Sequence, residues 1–321
     1  MKNVAPAIYK QISSDDVYKS MTENYQEIGP IWANHQMEWC NTVYSAFKDH
    51  EKFLIIIYLV SKTLDFYSKN LYQESFDDFY SNDTVEIEKF NVIEISKNLN
   101  IPKESARRKV IELEKNGVIK RIKKKVIVDR SAFPFVRPNN SIKRVARFLS
   151  IFSNHLEKNK VINNKYRSEE IEEIIKSRFT VTWKLWYDMQ IPLLVSWKKF
   201  FDDLETWHIW GVCVVNQGFE QSKKAKIKMN RLQYFKSISD PDKNFRGLNA
   251  MTLSEISGIP RATVVRKLKN LLKFKYLKKD LKKHYILTDI TDDEMHTINK
   301  TMLRSLAIFS TKIFNLSLNK S

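Results

Sequence analysis

The chain has 321 residues and a formal net charge of +18. That length supports two ordinary domains, each with its own core, and the positive excess points to a polyanionic partner such as DNA, RNA or an anionic membrane surface. Two cysteines, Cys40 and Cys213, have no metal-like spacing, and the longest apolar run, residues 53–60, is too short to span a bilayer. The N-terminal stretch lacks the apolar core of a signal peptide, so a soluble cytoplasmic protein with no membrane partner is expected.

Taken in chain order, residues 15–50 place Val17, Met21, Tyr25 and Ile28 at helical spacing, and a more apolar helical segment runs from Glu51 to about Phe79. Residues 81–84 read as a loop. Asn91 opens a helix. A second helix starts after Pro102, where the missing N–H of proline costs nothing, and Gly117 follows it as a C-cap. Residues 118–122 and 126–128 are β-rich and flank Lys123, Lys124 and Lys125, which predicts a hairpin with a basic tip, a wing. A closing helix covers 141–157. The polar stretch 159–167 is a linker, and Ser168 with its run of glutamates has the character of a helix cap.

The order then repeats. Residues 95–113 read ISKNLNIPKESARRKVIEL and residues 253–271 read LSEISGIPRATVVRKLKNL, 158 residues apart and without a gap. The same offset matches Trp39 to Trp197 and Ile55, Ile56 and Ile57 to Cys213, Val214 and Val215. An offset of 157 matches residues 147–153 to 304–310. The repeated units span roughly 15–157 and 168–318, giving a first unit over 1–158 and a second over 168–321. Phe274 to Leu277, a basic turn through Lys279, Lys282 and Lys283, and residues 284–287 supply the second wing. Lys275 stands where Gly117 stands in the first unit.

Each motif's second helix divides by face. Ala106, Val110 and Leu113, and Val264, Leu268 and Leu271, form the apolar rows. Lys103, Glu104, Ser105, Arg107, Arg108 and Lys109 are expected to point outward in the first unit. Arg261, Ala262, Thr263, Val265, Arg266, Lys267 and Lys269 do so in the second. A basic outer face behind an exposed N-terminus suits a DNA major groove: the amides favour phosphate and arginine can bond guanine bidentately. The opposing reading is a helical packing unit whose basic face is merely solvated.

These stretches resemble winged helix-turn-helix transcription regulators. Residues 259–268 are similar to the recognition helix of cyclic-AMP-receptor-like proteins. That resemblance implies base contacts from Arg261, Ala262 and Arg266 and a phosphate contact from Thr263, with Lys103, Glu104, Arg108 and Ser105 as their counterparts. No cyclic-nucleotide barrel accompanies it. The wider order resembles a fused pair of multiple-antibiotic-resistance-regulator (MarR) subunits. It implies a pseudo-two-fold arrangement in which helices over 15–50, 141–157, 168–200 and 291–318 make a shared interface. The acidic-and-arginine wing of that family is absent.

Trp183, Trp186, Trp197, Trp207 and Trp210, with Trp32 and Trp39, are read as core and interface; a pocket for a small effector is the alternative. The six histidines show no metal-ligand spacing, no glycine loop cradles phosphate, and no nucleophile motif stands out. No catalytic residue, metal or cofactor is therefore expected. The expectation is a mainly α protein with small β wings: two tandem winged helix-turn-helix units binding double-stranded DNA in the nucleoid as a transcriptional regulator. The alternatives are a plasmid- or phage-type replication initiator, an architectural DNA-binding protein and a protein-interaction module. Further self-association stays open.

Overall fold

In the computed structural model, residues 11–81, 84–87, 91–122, 125–129, 137–222, 227–240, 245–288 and 292–318 are described. The fold is mainly helical with small antiparallel sheets. The first half runs α1 (Ser14–Glu23), α2 (Tyr25–Phe47), α3 (His50–Lys69), α4 (Phe76–Phe79), β1 (Thr84–Ile87), α5 (Val92–Asn98), α6 (Lys103–Lys115), β2 (Ile119–Ile122), β3 (Lys125–Asp129) and α7 (Asn139–Lys158). The second runs α8 (Ser168–Ser177), α9 (Phe179–Phe201), α10 (Leu204–Ser222), α11 (Arg231–Ile238), α12 (Ala250–Ser257), α13 (Arg261–Lys273), β4 (Leu277–Lys279), β5 (Tyr285–Leu287) and α14 (Asp293–Leu318).

Several boundaries differ from expectation. The first helical segment is broken at Asn24, whose side-chain amide and backbone N–H both bond back to the carbonyl of Ser20. The apolar second segment stops at Lys69, and Asp49 caps its start through the N–H groups of Glu51 and Lys52. Ser168 is the first residue of α8 rather than its cap; the Glu170 carboxylate instead accepts from the Arg167 N–H at 3.0 Å. Thr84, expected in a loop, begins β1. That strand joins the first hairpin as a third strand, in the order β1-β3-β2, with Ile87 opposite Val126 and Ile119 opposite Val128. Among the described residues of the second half, only a bridge between Leu248 and Tyr285 extends the β4–β5 pair.

Packing comes in matched pairs across the halves. Helix α1 lies on α14 and α8 on α7; α2 lies on α10 and α3 on α9. Helices α3 and α10 thus belong to the shared interface beside the helices expected there. One continuous apolar core runs through both halves, so neither closes its core alone. At its centre Gln36 and Gln190, both buried, exchange amide hydrogen bonds of 3.3 and 2.8 Å. Beside them Trp32 meets Trp186 edge-on at 6.5 Å.

These pairs correct the register of the repeat. Gln36 and Gln190 are 154 residues apart, as are Trp32 and Trp186 and the starts of α2 and α9. Trp39 and Trp197 are therefore one helical turn out of equivalence, and so are residues 55–57 against 213–215. In the closing helices Phe148 packs on Trp32 and Phe309 on Trp186, both at 5.3 Å, which sets an offset of 161 rather than 157. A slip of four residues keeps the same helical face, so the apolar pattern alone accepts either register.

Candidate nucleic-acid interface

Helices α5 and α6, and α12 and α13, build two alike helical hairpins. Asn91 and Asn249 cap the first helices, accepting from Ile93 N at 2.8 Å and Thr252 N at 2.9 Å. The turn needs one left-handed residue, filled by Asn100 (φ 51°) in one half and Gly258 (φ 68°) in the other. Ser96 Oγ donates to Ile101 O at 2.6 Å, and Ser254 Oγ to Ile259 O at 2.7 Å, closing both turns the same way. Pro102 and Pro260 then stand immediately before α6 and α13 with φ near −52° and −53°. The apolar rows are buried against Ile95 and Leu253.

Most of the expected outer face is exposed. Lys103, Glu104, Arg107 and Arg108 face solvent with Ser105 half-buried; Arg261, Ala262, Arg266 and Lys269 do the same with Thr263 and Val265 half-buried. The two faces differ in charge. On α6 Glu104 binds Arg107 at 2.8 Å, and Glu112 lies 3.9 Å from Arg108. Helix α13 contains no acidic residue at all, so its arginines have no carboxylate beside them on the helix.

Lys109 and Lys267 are corrections: both are buried and neither belongs to the outer face. Lys109 pairs with Asp49 and, at 3.3 Å, with Glu51; Lys267 pairs with Asp203. Burial works to lower the Lys109 pKa, but the two carboxylates outweigh it and raise it above the usual lysine value. The reason lies in helical spacing. Each lysine sits three residues after one apolar row member (Ala106, Val264) and four before another (Leu113, Leu271), so its methylene stem runs along the packed face. Each head then reaches the N-terminus of α3 or α10 and pins the exposed helix to the core.

Asp49, Asp203 and their neighbours were not singled out from sequence. The signal was there: Asp49-x-Glu51 recurs as Asp203-x-Glu205, 154 residues on. Asp203 caps α10 through Thr206 N at 2.7 Å while also holding Lys267. Glu51 also meets Lys198 of α9 at 3.2 Å, and Lys198 donates to the Asn100 carbonyl in the first hairpin turn. Glu205 meets His50 Nδ1 at 3.2 Å. Burial pushes the Glu205 carboxyl up, but His50 and Lys267 outweigh it and hold it well below the usual carboxylate range.

The hairpins differ too. Lys125 pairs with Glu86 of β1, and Lys123 and Lys124 lie outside the described residues. Arg121 grips Glu114 of α6 at 2.5 Å, fixing that hairpin to the helix before it. In the second hairpin Asp280 shapes the turn by accepting from Lys282 N at 2.9 Å and His284 N at 2.8 Å. Lys279 lies over the Tyr285 ring, 5.3 Å from its centroid. Lys282 and Lys283 are exposed, with fully exposed Leu281 at the tip.

All seven tryptophans are buried. Among the described residues no group of histidine, cysteine or acidic side chains could hold a metal, and no helix is long and apolar enough to cross a membrane. No protein family model, curated protein or solved structure matches the chain.

Proposed function

We propose that this protein binds double-stranded DNA in a sequence-specific way through two winged helix-turn-helix heads in pseudo-two-fold arrangement, and acts as a transcriptional regulator. The observation that carries the reading is the pair α6 and α13: two matched helices, each pinned from behind by a buried lysine and each presenting arginines outward beside a hairpin. An exposed helix N-terminus with arginine on its first turns fits a major groove, and a basic hairpin beside it fits the backbone.

Lys103, Glu104, Arg107 and Arg108 are the readers of one head; Arg261, Ala262 and Arg266 are those of the other, with Lys269, Lys279, Lys282 and Lys283 on phosphate. Ser105 and Thr263 stand at phosphate-contacting positions. The heads are unlike, so the bound site has two unlike half-sites, with the acid-free α13 contributing more of the salt-sensitive affinity. The test is selection of bound sequences from a random DNA pool, followed by affinity against salt. A bipartite motif with half-sites about one helical turn apart is expected, and a location at promoters marks a regulator. Clustered motifs at an origin would make it an initiator. Steep salt dependence without a motif would make it architectural. No binding at low salt would end the nucleic-acid reading.

A further inference from the structure

Two cavities occupy equivalent places in the two halves. One, of about 60 Å³, lies among α2, α9, α10, α11 and α14; the other, of about 20 Å³, lies among α2, α3, α7 and α9. Every residue lining the smaller has a counterpart lining the larger. Trp32 and Gln36 of the larger match Trp186 and Gln190 of the smaller, and Trp207 and Trp210 match Phe53 and Ile56, all at the 154-residue offset. Asn299 and Met302 match Pro138 and Ser141 at the closing-helix offset of 161.

Four positions break the match. Gly29, Ala33, Leu193 and Gly211 line the larger cavity where Trp183, Tyr187, Trp39 and Ile57 line the smaller one. The space they leave is only partly retaken from within: the Tyr25 ring sits where a Cβ on Gly29 would be, and the Met37 sulfur where one on Gly211 would be. The same architecture closes this space in one half and holds it open in the other.

A second observation points to an occupant. The indole N–H of Trp210 is buried in the cavity wall and has no hydrogen-bond acceptor among the described residues. Its counterpart Ile56 carries no donor, while the Trp183 indole N–H in the wall of the smaller cavity also lacks an acceptor among the described residues. A buried unmet donor is a cost that an acceptor from outside removes. The wall combines aromatic rings, Trp32, Trp197, Trp207 and Phe235 among them, with aliphatic residues and the neutral amides of Gln36 and Asn299, and contains no acidic, basic or histidine side chain. A charged group would be buried there unpaired.

We propose that this cavity binds one small, neutral, planar aromatic molecule bearing a hydrogen-bond acceptor, which accepts from Trp210 Nε1. Aromatic walls stack on a flat ring, the Trp210 donor selects for the acceptor, and the flexible Met37 thioether yields to admit the ring. The site does not rest on the DNA reading and is tested without DNA.

The test is calorimetric titration of the full chain with phenol, against toluene, which has the same shape but no oxygen. Tryptophan fluorescence provides a second readout. Phenol is expected to bind saturably, one molecule per chain, and more tightly than toluene. Trp210→Phe keeps an aromatic wall and is expected to weaken phenol about three- to tenfold while leaving toluene unchanged. Gly211→Ala, which pushes the Met37 sulfur into the cavity, is expected to weaken both ligands. No saturable binding, two molecules per chain, or equal loss of phenol and toluene in Trp210→Phe would overturn the proposal.

Discussion

Lys109 and Lys267 offer the sharpest test, because helix position alone assigns them to DNA and the packing assigns them to the core. Replacing each with methionine keeps the stem and removes the charge. Removing one partner of a fully buried pair costs about 3–5 kcal/mol when the other is left bare. Here the surviving carboxylates are not bare. Asp203 keeps the N–H and Oγ of Thr206, Asp49 keeps the N–H groups of Glu51 and Lys52, and Glu51 keeps Lys198. The expected loss is therefore about 1–3 kcal/mol for each variant, read from urea unfolding followed by circular dichroism. DNA affinity is then measured against salt. Neither ammonium is free to meet phosphate, so the salt slope of Lys109→Met and Lys267→Met stays that of the parent. Arg266→Met, on the exposed face of the same helix, lowers the slope by about one phosphate contact and leaves unfolding within about 0.5 kcal/mol. Unchanged stability with a reduced slope in either lysine variant would refute the argument.

Four further expectations follow from the same geometry. Gln36→Ala strands the buried Gln190 amide and costs about 1–3 kcal/mol; Gln36→Leu with Gln190→Leu recovers most of it, both by urea unfolding. Burial, with Arg144 and Arg147 nearby, pushes His35 down to about 3, and burial beside His50 pushes His208 well below its usual value. Both folded pKa values lie below the unfolded one, so the unfolded chain binds more protons and stability falls as pH drops below about 6.5. Each histidine then removes about 2 kcal/mol between pH 6.5 and 5, to be seen by comparing urea midpoints at the two pH values. Lys275→Gly relieves a left-handed residue (φ 59°) at the place held by Gly117 (φ 71°) and should stabilise by about 1 kcal/mol, measured the same way. Glu104→Ala makes one head resemble the other at that position; repeated site selection should show relaxed preference in one half-site and none in its partner.

Much of this fold was legible because its signals are local. Asn91, Pro102 and Gly117 mark helix ends by backbone chemistry, and the rows through Ala106 and Val264 mark packed faces by period. The hairpins followed from β-rich runs around lysines. What escaped depends on partners far along the chain. Nothing near Thr84 announces a strand, since β1 is made by its pairing with β3. Nothing near Lys109 names Asp49, which is brought to it by the fold. The register of the repeat escaped for another reason: sliding a helix by four residues preserves its face, and only contacts such as Gln36 with Gln190 tell one turn from the next. The outward arginines, by contrast, were found from sequence because exposure needs no partner.

The short connection through residues 159–167 joins two halves that share one core. In a pair of separate identical chains every mutation is made twice, once on each side, and association weakens on dilution. A tethered pair escapes both constraints: its interface forms within one molecule at any concentration, and each side can drift alone. Glycine can open a hole on one side while tryptophan plugs it on the other, and one exposed helix can shed its acids while its twin keeps them. The tether is thus a licence for the halves to specialise.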